Sequence, residues 1–265
     1  MRDGQTSRWT RAAVLFAALA LVPSPVAAAG MVRPGATDAT SAVTAASIEA
    51  FLAEKAAVAV SLAARTDLPT SRILPTNPRQ QTTDYNCGPA VAQVIINYTR
   101  DVSSTGLGGG RQATNWTTQS TIERWMGTTI YGTGAPGIRN GLNHAGGVRK
   151  PFEAWSYDVE RTGGPKAFHD KVVTDVAIYG MPLTMAVNPH MARVGIYHLA
   201  SWPDERPRAR HWIAIRGYEG LWGSPHPIVH YSDSSGGYGG GTGNYWDLSL
   251  VLHDANDRNR GRIVW

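Results

Sequence analysis

The chain has 265 residues and one cysteine, and that cysteine stands where a thiol could act as a nucleophile. Cys87 lies in the run Gln81-Thr-Thr-Asp-Tyr-Asn-Cys-Gly-Pro-Ala90. Pro89 is pre-set for a first helical turn and loses nothing there by lacking an N–H. Gly88 to Arg100 therefore reads as a helix with the thiol at its N-terminus. A helix N-terminus carries about half a positive charge, which favours a thiolate. Gly88 would let the backbone come close to a substrate. A thiolate nucleophile needs a base to accept its proton and a third group to orient that base. A single cysteine excludes an intrachain disulfide framework and any zinc site built from several thiolates. No His-Glu-x-x-His spacing occurs, so the sequence calls for no metal and no cofactor.

The chain has eight histidines, and strand geometry selects among them. His211 opens the apolar run HWIAIRGY (His211 to Tyr218), and IVHYSD (Ile228 to Asp233) follows; both read as strands. An antiparallel hairpin turning about Leu221-Trp222-Gly223 would set Ile215 opposite Val229, Ile213 opposite Tyr231 and His211 opposite Asp233. All six share one face because side chains alternate with period 2. Facing Cβ atoms lie about 4.5–5.5 Å apart, so an imidazole–carboxylate hydrogen bond is within reach. His230 falls on the opposite face, and a one-residue slip would spoil the pairing. His190 and His198 are rival bases, and Asp233 could equally begin an Asx-turn into Ser234-Ser235-Gly236.

A glutamine six residues before Cys-Gly-Pro-Ala, a distant histidine opening an apolar strand and an aspartate ending the next resemble the papain-like cysteine peptidases. More closely, they resemble the bacteriocin-leader-processing group and its free-standing relatives, family thirty-nine of the cysteine peptidases. The resemblance covers roughly residues 70–250. It implies Cys87 as nucleophile, His211 as general base and then acid, Asp233 as the group orienting the imidazole, and Gln81 as an oxyanion donor beside the Cys87 backbone N–H. The implied reaction is transfer of the acyl group of a peptide bond to the thiol, followed by hydrolysis of the resulting thioester. The chain lacks the transporter segments and nucleotide-binding motif to which leader-processing members are usually fused.

The elements that must position these residues form an α+β pattern, with helices first and an antiparallel sheet after. Ser47 reads as an N-cap for a helix running to about Arg65, either packed on the domain or a removable pro-segment. Ile122 to Met126, Thr133 to Asn143 and Ala167 to Tyr179 read as further helices, and residues 101–119 as a loop. Pro182 to Val187 adds a third strand. The glycine runs 106–110 and 236–243 lack the Lys-Ser/Thr context of a phosphate loop and read as flexible loops. Trp212 and Trp246 are candidates to line a peptide or sugar groove, or to pack in the core.

Residues 1–29 read as a secretory signal peptide: Arg2, Arg8 and Arg11, then eleven apolar residues from Ala12 to Val22, then Val26-Ala-Ala-Ala29 as a cleavage site. Eleven apolar residues fall short of the roughly 20 of a membrane span. Residues 30–69 are a linker and the first helix, and 70–265 the peptidase-like domain. Cleavage after Ala29 removes three arginines and one aspartate, lowering the net charge from +5 to +3. That is too small and scattered to argue for nucleic acid. The expected protein is secreted or cell-wall associated, without stable membrane insertion, and takes a peptide or protein substrate, a cell-wall peptide among the candidates. Two other readings stand beside it: a non-catalytic binding module on the same scaffold, and an acyltransferase or transglutaminase-like enzyme, which would use the same Cys, His and Asp order.

Overall fold

The computed structural model describes residues 45–105, 116–187, 199, 211–235, 240–244 and 262–265. The signal peptide, most of the linker, the 106–110 run, His190, His198 and Trp246 lie outside the described residues. Those described belong to one unit, Val43–Trp265. Five α-helices occur among them in chain order: α1 (Ala45–Ser61), α2 (Cys87–Thr105), α3 (Gln119–Met126), α4 (Ala135–Asn143) and α5 (Pro165–Val173), the last continued by a π-helical segment, Thr174–Tyr179. The strands are β1 (Ser71–Ile73), β2 (Val159–Arg161), β3 (Leu183–Val187), β4 (His211–Glu219), β5 (Ile228–Ser232), β6 (Gly240–Asn244) and β7 (Arg262–Val264). They form one antiparallel sheet in the order β2-β7-β3-β4-β5-β6, with β1 also pairing β4. The fold is thus mixed, helices on an antiparallel sheet.

β4 is the central strand, and its side chains divide the interior. Ile213 and Ile215 join Leu183, Met185 and Val187 in a core shared with Phe168, Val172 and Val176 of α5 and its continuation. Trp212 and Ala214 join Val91, Ile95, Ile122, Ile138 and Leu142 of α2, α3 and α4. Helices therefore cover both faces, which is why β4 reads apolar throughout rather than alternating. No described helix is long and apolar enough to cross a membrane.

Several local expectations change. α2 continues beyond Arg100 into the segment read as loop. α1 already includes Ala45 and Ala46, so Ser47 lies inside it rather than capping it. Gly134, with Pro136 just inside, caps α4. Gly88 serves packing: a Cβ there would meet Thr133 Oγ1 at 2.7 Å and Ile138 Cδ1 at 2.9 Å. Its bareness lets the first turn of α2 press against the start of α4.

α1 is packed on the unit through Phe51, Lys55 and Ala59. Lys55 is wholly buried. Its Nζ lies 2.8 Å from Oδ1 of the equally buried Asp175 and sits over the rings of Trp265 at 4.4 Å and Trp155 at 4.5 Å. Burial pushes the Asp175 carboxyl up to about 6 against the pull of Lys55, and burial pushes the Lys55 ammonium down. Both directions express the cost of taking charge out of water, so the pair specifies the docking of α1 more than it stabilises it. Asp175→Ala, which strands the ammonium, is expected to cost about 3–5 kcal/mol in denaturant unfolding, whereas Lys55→Met/Asp175→Leu should unfold closer to wild type than either single variant.

Candidate active site

Cys87 is the first residue of α2. The helix opens where the Asn86 carbonyl accepts the Ala90 N–H at 3.0 Å, which leaves the Cys87 backbone N–H among the four donors a helix start cannot use internally. The buried thiol packs in the apolar cluster of α2, α3 and α4.

His211 and Asp233 arrive from the hairpin, by a register other than the expected one. Ala214 pairs with Ser232 and Ile215 with Tyr231, two residues away from the expected pairing. Beyond the break the pairs are Gly217 with His230, Tyr218 with Val229 and Glu219 with Ile228. Arg216 is the extra residue of a β-bulge. A two-residue change of register preserves the face, and a one-residue change inverts it. Carried on from the loop end, the register would set Asp233 opposite Ala214, on the wrong face. The bulge adds one residue to β4, so the register at the site end sets Asp233 opposite Ile213, diagonally beside His211 on the same face. The bulge is held from outside: the Leu74 N–H donates to the Arg216 carbonyl at 2.7 Å.

The outcome is a 2.6 Å hydrogen bond between His211 Nε2 and Asp233 Oδ1, with both side chains buried. The same Oδ1 accepts the Ser235 N–H at 2.9 Å, so Asp233 makes the Asx-turn and the imidazole contact together. Burial works to lower the basicity of His211, but the hydrogen bonds with Asp233 and with Cys87, and the charge on both, outweigh it and push the ring up to about 9. With Nε2 committed to Asp233, Nδ1 is the ring nitrogen left for the thiol.

Gln81 is tied to the same turn. Its backbone N–H donates to the Ser234 carbonyl at 3.0 Å, and the Ser234 hydroxyl donates to Gln81 Oε1 at 3.3 Å. Gln81 Nε2 donates to the Thr83 carbonyl at 2.8 Å. That uses one of its two amide hydrogens. Two other side chains weighed in the sequence lie elsewhere. His230 bonds Glu219 Oε1 at 2.9 Å on the far part of the hairpin. Trp212 is buried and donates from Nε1 to the Thr133 carbonyl at 2.9 Å, joining β4 to the start of α4 rather than lining a groove.

The polar frame around residues 80–86 has almost no signature in the sequence. Gln119 bonds Gln80, Thr82 and Gln93, and Asn86 bonds Thr82 and Glu123. Glutamine and glutamate four apart on a short helix look like a solvated face, and only the spacing of Gln119 and Glu123 gave a sign of a common partner.

Neither the family models nor the curated proteins include a match to this chain. Among solved structures it is similar to the Amb a 11 cysteine protease, a major ragweed pollen allergen, in its proform, with a TM-score of 0.43 and 12% identity, over 75% of this chain and 65% of that one.

Proposed function

We propose that this chain is a papain-like cysteine peptidase that hydrolyses peptide bonds through Cys87, His211 and Asp233. The observation that carries the reading is the buried imidazole bonded through Nε2 to Asp233 at 2.6 Å, its basicity raised by that carboxylate and by Cys87 at the start of α2. An imidazole bonded to a carboxylate and coupled to a thiol at a helix start is the arrangement nucleophilic catalysis uses.

In the proposed cycle the Cys87 sulfur attacks the scissile carbonyl carbon and the carbonyl π electrons move to oxygen. The oxyanion takes the Cys87 backbone N–H and the remaining Gln81 amide hydrogen. The imidazolium of His211 protonates the departing amine as the C–N bond breaks, leaving a thioester on Cys87. A water then loses its proton to His211, attacks the thioester, and the C–S bond breaks to release the acid and restore the thiolate. A ring held up to about 9 is protonated at neutral pH, which suits donation to an amine. An oxyanion donor of this kind is worth about 2.7–4 kcal/mol in a transition state.

The proposed setting is outside the cell, reached through the signal peptide at residues 1–29, with a peptide or protein substrate and cell-wall peptides among the candidates. Membership of the leader-processing family thirty-nine is the finer form of the proposal and rests on the Gln81-to-Ala90 motif.

Wild type is expected to cleave members of a peptide library and to be alkylated at Cys87 by iodoacetamide, and Cys87→Ala to lose cleavage while unfolding at the same denaturant concentration. Full turnover by Cys87→Ala would refute the proposal, and ligand binding without cleavage would favour a binding module. The pH dependence gives a second test. The folded-state value of His211 lies above its ordinary 6.5, so its contribution to stability is complete below about pH 6.5 and fades as pH rises through about 9. The alkaline limb of the kcat/KM profile should fall in that upper range. Asp233→Ala should move this limb down by about one pH unit or more and flatten the loss of stability across the same window.

A further inference from the structure

Both proposed oxyanion donors sit at the ends of one short segment: the Gln81 side-chain amide begins it and the Cys87 N–H closes it. The segment has no regular structure of its own before α2 begins, so something else must fix the distance between its ends. Within it, Asn86 Nδ2 donates to Thr82 Oγ1 at 2.9 Å, and the Asn86 N–H donates to the Thr83 carbonyl at 3.2 Å. Outside it, α3 supplies the rest.

Gln119 uses its whole hydrogen-bonding capacity there. Its Oε1 accepts the Thr82 N–H at 3.0 Å and the Thr82 hydroxyl at 3.2 Å. Its Nε2 donates to the Gln80 carbonyl at 2.8 Å and to Gln93 Oε1 at 3.2 Å. Gln93 lies on α2 and donates in turn to the Thr117 carbonyl at 2.7 Å, so the orientation of Gln119 is fixed from the nucleophile's own helix. One turn further along α3, Glu123 Oε1 accepts from Asn86 Nδ2 in a short hydrogen bond. Asn86 is completely buried, and its Oδ1 has no hydrogen-bond partner among the described residues. Rotating the amide would trade two made bonds for a carbonyl oxygen facing a carboxylate. Glu123 thereby dictates which way Asn86 points, and Asn86 adjoins Cys87.

We propose that Gln119 and Glu123 are positioning residues for the oxyanion hole, acting through Thr82 and Asn86 to hold the Gln81 amide and the Cys87 N–H at a fixed separation. This rests on the peptidase reading above. The two residues lie four apart and so share a helix face, one bracing the start of the segment and the other its end.

Two reactions of Cys87 separate this role from general support of the fold. Hydrolysis of an amide builds an oxyanion. Alkylation by iodoacetamide is displacement at a saturated carbon, builds none, and reads only the thiol and its imidazole. Glu123→Ala and Gln119→Ala are expected to lower kcat for a cleavable library peptide by roughly 10- to 100-fold, the scale of a misplaced or lost donor. KM and the second-order alkylation rate should stay within about twofold, the scatter expected of side chains that touch neither substrate nor thiol. Glu123→Gln, whose amide oxygen can still accept from Asn86, should recover most of the kcat. If alkylation and hydrolysis fall together, or if neither falls, the brace is refuted. If Gln119→Ala does not fold, Glu123→Ala, which loses a single side-chain bond, decides the matter alone. Absence of hydrolysis by wild type, with Cys87 unreactive, would instead refute the peptidase reading.

Discussion

The hydrogen bond between His211 Nε2 and Asp233 Oδ1 is the interaction on which the site depends. Together with Cys87 it raises the basicity of a buried imidazole against the desolvation that lowers it, and it fixes which ring nitrogen is left for the thiol. Its existence depends on a constraint of strand pairing. A strand presents alternate residues to opposite faces, so an odd error in register removes the carboxylate from the histidine entirely. The β4–β5 hairpin starts from its loop in the wrong parity and is corrected by one extra residue, Arg216.

The correction is braced by the segment that precedes Cys87. The segment that runs from β1 to Cys87 is stitched to the hairpin three times: Leu74 to the bulge carbonyl, Thr76 Oγ1 to Ser232 Oγ at 3.1 Å, and the Gln81 N–H to the Ser234 carbonyl. The same segment is held to α3 by Gln119 and Glu123. The proposed nucleophile and oxyanion donor therefore come from one segment of the sequence and the proposed base from another, yet all three hang on one strip of backbone. α2 and β4 fix the ends of that strip through the apolar contacts of Val91 and Ile95 with Trp212 and Ala214.

Much of this was legible in the residues. Gly88-Pro89 marked the start of α2, and the apolar runs from His211 and Ile228 marked two strands. His211 and Asp233 were assigned to one face, although the pairing was two residues out; the face survived because the period of a strand is 2. The bulge left one sign, Gly217 inside an apolar strand run, but such a glycine marks close backbone approach as readily as an extra residue, and here a Cβ would also meet the Arg72 carbonyl oxygen at 2.7 Å. β1, β2 and β7 have three residues each, too few for alternation to register. Lys55 sits among alanines on α1 and has the look of a solvated charge; its burial follows from Trp155, Trp265 and Asp175, which are remote in sequence. A glycine beside a thiol suggests room for a substrate, whereas the neighbour of Gly88 is Thr133.

The most direct test of the central claim is the protonation state of the His211 ring, read by nitrogen NMR on histidine-labelled protein near pH 7.5 and assigned by comparison with His211→Gln. The account predicts an imidazolium with both ring nitrogens protonated, the Nε2 proton slow to exchange because Asp233 and burial protect it, and titration only as pH approaches about 9. A neutral ring titrating near its ordinary 6.5, with an exchangeable Nε2 proton, would contradict it.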